Sequence, residues 1–77
     1  MDIAKLTYQA AILFAARRGI INAQALSCER FGDYRAECHD NDEAFYRWGK
    51  AADLYDEWGA CAKVKQIERK IYTEGKR

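Results

Sequence analysis

The residues with the richest chemistry cluster mid-chain: Cys38, His39, Asp40, Asp42 and Glu43. His39 is the only histidine, so a metal site or an imidazole base would have to use it. A zinc site needs three or four converging ligands, commonly with cysteines spaced as CxxC. Cys38 and His39 are adjacent and point different ways on a helix, and Cys28 and Cys61 are distant in sequence. A thiol nucleophile needs a base held by a third group, and no oxyanion arrangement accompanies Cys38–His39. Asp40, Asp42 and Glu43, or Asp53, Asp56 and Glu57, could pair for acid–base work. They sit where caps and solvated helix faces carry acids, and nothing nearby predicts the burial that shifts a pKa. The expectation is a protein with no catalytic, cofactor-binding or metal-binding residue, and not an enzyme. The three cysteines are expected to be buried, reduced thiols packed as small apolar side chains.

Two groups could bind rather than catalyse. Trp48, Tyr55 and Trp58 could stack bases, but they lie along one helical stripe, which predicts a core. Lys63, Lys65, Arg69 and Lys70 form a basic patch toward the C-terminus. They support an alternative reading as a nucleic-acid contact, without a recognisable docking motif.

The elements that position these residues are helices. The 77 residues contain no proline, and alanine, leucine, glutamate, lysine and arginine are common, a composition that favours helix. Four segments are legible, over about 3–18, 21–38, 42–57 and 60–72. In the first, Ile3, Ala4, Leu6, Tyr8, Ala11, Ile12, Leu13 and Ala15 cover more than one face, which predicts packing on two sides. In the second, Ile21, Ala25, Cys28, Phe31, Tyr34 and Cys38 recur at helical spacing, and Gly32 marks a place where another helix can approach. Asp40 followed by Glu43 resembles a capping box. The third segment carries Ala44, Trp48, Ala51, Tyr55 and Trp58 in steps of four, three, four and three. The fourth carries Cys61, Val64, Ile67 and Ile71 on one side. Gly75-Lys76-Arg77 is expected to fray.

The chain repeats at an offset of 40: Tyr8 matches Trp48, Ala11 matches Ala51, Ala15 matches Tyr55, Gly19 matches Gly59 and Ile21 matches Cys61. Two helices per period is the mark of a helical solenoid. A chain of this length makes one domain with a thin core. Its formal charge of +1 is unevenly spread, with nine acids against four bases between Cys28 and Glu57 and a basic excess on either side. No secretory signal or membrane-length apolar run is visible, and with the expected free thiols this predicts a cytoplasmic protein.

Gly19-Ile20-Ile21-Asn22-Ala23-Gln24-Ala25-Leu26, Glu29, Ala44, Ala51, Tyr55, Trp58-Gly59-Ala60 and Ala62-Lys63-Val64 together form a pattern. It resembles the tetratricopeptide-like repeats of large signalling proteins, in which such repeats follow an AAA-type NTPase module and often join a Ser/Thr kinase-like domain to a sensor histidine kinase region. The resemblance runs from about Tyr8 to Ile67. Where the family usually has tyrosine, leucine and glycine, this chain has Arg47, Trp48 and, near the turn, His39, so that turn is expected to differ. No Walker loop or phospho-acceptor context is present, so only the scaffold carries over. The resemblance implies an all-α, tetratricopeptide-like repeat of about four antiparallel helices, with Tyr8, Ala11, Gly19, Ala44, Trp48, Ala51, Tyr55, Trp58 and Gly59 as repeat-packing residues. Its implied function is a non-catalytic protein-interaction or scaffold module of signal transduction. Gln24, Ser27, Arg30, Asp33 and Arg35 are then the candidates for partner contact. The frame is cut mid-repeat at both ends, which fits either a fragment of a longer array or a unit that hides its ends by self-association.

Overall fold

A computed structural model describes residues 3–75. It is all-α: α1 (Ile3–Arg17), α2 (Ile21–Glu37), α3 (Asn41–Trp58) and α4 (Cys61–Gly75). The principal packing runs between successive helices, α1 on α2, α2 on α3 and α3 on α4. The result is a row of helical hairpins measuring 37 × 35 × 12 Å, with α1 and α4 at its edges. Gly75, expected in a frayed tail, is the last residue of α4; Lys76 and Arg77 lie outside the described residues.

The three turns are built alike, twenty residues apart. Gly19, His39 and Gly59 have φ of 69°, 61° and 87°. At each turn the left-handed residue donates its N–H three residues back: Gly19 to Ala16, His39 to Ala36 and Gly59 to Asp56. The next residue donates five residues back: Ile20 to Ala15, Asp40 to Arg35 and Ala60 to Tyr55, at 2.8–3.0 Å. These paired bonds satisfy the free carbonyls of the ending helix, the Schellman arrangement. The carbonyls of Ile20, Asp40 and Ala60 then accept from Gln24, Ala44 and Val64, opening the next helix. Glycine enters the left-handed region without steric cost; His39 enters it with a Cβ. The altered turn expected there therefore keeps the geometry of the other two. The Asp40 carboxylate caps α3 through a 3.4 Å bond from the Glu43 N–H. The Glu43 carboxylate does not return it, because it pairs with Arg47 at 3.0 Å; the capping box is half formed.

The core centres on α2 and α3. Ala25, Cys28, Ala44, Trp48, Ala51, Tyr55 and Ile67 form one buried cluster. Phe31 is fully buried, with the Tyr8 ring stacked on it at 5.4 Å and the Arg47 guanidinium over its ring at 4.5 Å. The close approach predicted at Gly32 is made by a side chain: a Cβ there would overlap the Trp48 indole, 2.6 Å from Nε1.

Three expectations are corrected. Trp58, placed in the core by its stripe, is 55% exposed. It is the last residue of α3, where the helix runs past its cover and Gly59 turns the chain away. Ala11 is exposed although its counterpart Ala51 is fully buried. The reason is position in the row: α3 has a helix on either side, and α1 has one. Of the three thiols only Cys28 is buried; Cys38 and Cys61 are exposed, because both fall at helix ends beside the turns.

Candidate protein-interaction surface

Glu29 on α2 is the one buried charged residue among those described. Its carboxylate accepts from the Tyr55 hydroxyl at 3.1 Å and from Lys70 at 2.6 Å, and it pairs with Lys63 at 3.1 Å. One turn on, Asp33 accepts from Lys70 and from the Trp48 indole N–H, both at 3.0 Å. Two carboxylates thus face two ammonium groups, and the cluster ties α4 to α2 across the end of α3. Burial pushes the Glu29 carboxyl up, but the hydrogen bonds from Lys70 and Lys63, the Lys70 charge and the Tyr55 hydroxyl outweigh it and hold the group below its ordinary value. Burial pushes Lys70 down, and its bonds to Glu29 and Asp33 reverse this and raise it. Tyr55 is pushed up to about 12 by burial, then by its hydrogen bond to Glu29 and that carboxylate's charge. Burial likewise raises the Cys28 thiol, against the smaller pull of Arg47 and Lys50. The shifts of Glu29, Lys70 and Tyr55 favour the protonation states that hold the pairs together, so the cluster is structural.

This network divides the expected basic patch. Lys63 and Lys70 turn inward to Glu29 and Asp33, while Lys65 and Arg69 are exposed on the outer side of α4. It also occupies Asp33, expected to meet a partner. Of the other residues expected there, Arg30 is exposed, Gln24 and Ser27 are half-buried, and Arg35 lies half-buried over the rings of Phe31 and Tyr34 at 5.6 and 5.8 Å. Asp33 alone of these candidates lines the open groove of about 570 Å³ between α2 and α4, with Ala36, Trp48, Arg69, Lys70 and Glu74.

A different surface is continuous and apolar. On α1, Ile3 is 71% exposed, Leu6 52%, Leu13 57% and Phe14 58%. At 3.6 residues per turn these four and the exposed Ala10 fall within an arc of about 100°. Tyr8, Ile12 and Ala15, which face the rest of the protein, lie almost opposite. The two apolar faces read from the α1 sequence are both real, and one of them is uncovered. Single exposed leucines are ordinary, but a contiguous apolar stripe marks a contact surface. At its C-terminal end the Arg18 guanidinium lies 4.5 Å over the Phe14 ring, giving the stripe a basic rim with Arg17.

Among the described residues no three His, Cys, Asp or Glu side chains converge as a metal site would require, and no helix is long and apolar enough to cross a membrane. The chain matches no protein-family model, no curated protein and no solved structure.

Proposed function

We propose that this protein is a non-catalytic interaction module, a tetratricopeptide-like scaffold element of the kind used in cytoplasmic signal transduction, which contacts protein through the outer face of α1. The observation that carries this reading is the uncovered stripe Ile3, Leu6, Leu13 and Phe14, which leaves more than half of each large side chain in water. Burying one such side chain contributes about 1.5–3 kcal/mol, so the stripe gains most from an apolar protein partner, either another protein or a second copy. The neutralised cluster around Glu29 supports the same reading, because its acids and bases are spent on holding α4 in place. The division of the basic patch argues against a nucleic-acid contact, which needs several free cations on one face.

The test is a photo-crosslinking side chain placed at Leu13 or, as a control, at Lys65. Protein adducts at position 13 and none at position 65 are expected. No adduct at position 13 would sink the reading. Binding of DNA or RNA that weakens steeply with salt would replace it with the nucleic-acid alternative.

A further inference from the structure

Resting on that reading, we infer that the occupant of the α1 stripe is a second copy of this chain, seated α1 against α1 about a two-fold axis. The two edges of the row differ, and this decides the geometry. The outer face of α4 carries Lys65, Glu68, Arg69 and Tyr72, all exposed. An α1 stripe laid there would bury charges opposite leucines, so head-to-tail stacking of copies is disfavoured. The stripe does match itself. Paired antiparallel with the axis level with residue 8, Ile3 faces Leu13 of the second copy, and Leu6 faces the small Ala10. The pairing thus sets a large side chain against a small one near the axis, where the helices approach closely, and joins two large apolar side chains at either end. The same direction puts the two Arg17–Arg18 pairs about 28 Å apart at 1.5 Å per residue, well beyond the ~8 Å screening length. A parallel pairing would set them side by side. The apolar area at stake, roughly 400 Å² per copy or about 800 Å² across the pair, lies below the ~1,000 Å² that a stable specific interface clears, which gives a weak dimer in exchange with monomer.

Sedimentation equilibrium from about 10 μM to about 1 mM reads the association. The expected result is a mass that rises with concentration and levels at twice the monomer. Leu13→Glu should weaken the dimer on the order of tenfold or more, with helicity and the melting of the dilute monomer unchanged because residue 13 is exposed. Lys65→Glu, on the other edge, should leave it intact. Leu6→Glu and Ala10→Lys should each be monomeric alone and form a heterodimer when mixed, since residues 6 and 10 face each other. A monomer at every concentration overturns the two-fold pairing. So does growth beyond the dimer, or a dimer indifferent to Leu13→Glu. A monomer that still gives adducts with another protein at position 13 separates failure of this inference from failure of the interaction reading.

Discussion

The first and last helices each span 15 residues, and each forms an edge of the row. They finish the row in opposite ways. α4 sends Ile67 and two lysines inward and presents Lys65, Glu68 and Arg69 to water. α1 buries Ala15, stacks Tyr8 on Phe31, and presents isoleucine, two leucines and phenylalanine. By their exposed faces α4 is a polar edge and α1 an apolar one, and an exposed apolar edge is the one that gains from cover. The character of the exposed face, more than the order of the helices, separates the two edges.

The sharpest way to break the comparison is to truncate one apolar side chain at each edge. Ile67 has no exposed area, so Ile67→Ala should cost about 2–5 kcal/mol and loosen α4. Leu13→Ala should leave the stability of the monomer within about 0.5 kcal/mol. Chemical denaturation with far-ultraviolet circular dichroism reads both, and equal losses would mean that α1 is covered after all. The tryptophans repeat the contrast inside α3. Trp48→Ala should cost about 3–5 kcal/mol, whereas Trp58→Ala, at a half-exposed site, should cost well under that.

The attachment of α4 also has a pH signature. The Glu29 carboxyl is held below its ordinary value of 4.5. The unfolded chain therefore takes up its proton first, and the stability from Glu29 is full above that value and lost as pH falls through the lower folded value. Lys70 is held above 10.5, and Tyr55 is pushed from 10.0 up to about 12. Their contributions are full below those ordinary values and drain as pH rises through the higher folded ones. Unfolding free energy should be level in between and fall on both sides. In Glu29→Gln the acid-side fall should shrink, and an unchanged acid limb would show that other carboxylates set it.

What was legible in the sequence was whatever a period encodes. Ala44, Trp48, Ala51 and Tyr55 step along one face, and all four are buried. Gly32 marked a close approach because nothing but a missing Cβ gives room for an indole. A period gives the face of a helix but not where the neighbouring helix stops, so Trp58, on the same stripe, was misplaced. Nor does it tell a covered apolar face from an open one, which is why the two-sided α1 was expected to be packed on both sides. The Glu29 cluster was hidden for another reason. Glu29 is separated by 26 residues from Tyr55 and 41 from Lys70, and no local spacing links an acid on α2 to a lysine on α4. Glu29 carried a weak signal as a charged residue between Cys28 and Phe31, both on the apolar face.

The smallest effect concerns the turns that set up the row. Gly19, His39 and Gly59 share one backbone geometry, yet histidine carries a Cβ into the left-handed region, at a cost of roughly 1 kcal/mol against glycine. His39→Gly should therefore stabilise the protein by up to about 0.5 kcal/mol, less than the full strain because glycine also frees the unfolded chain. Gly59→Ala should destabilise it by a similar amount. Thermal melts of the two variants should move in opposite directions, and movement in the same direction would mean that the three turns are alike in hydrogen bonding but not in strain. Because His39 joins α2 to α3, at the centre of the row, and Gly59 joins α3 to α4, neither variant touches α1, and a dimer through α1 should persist in both.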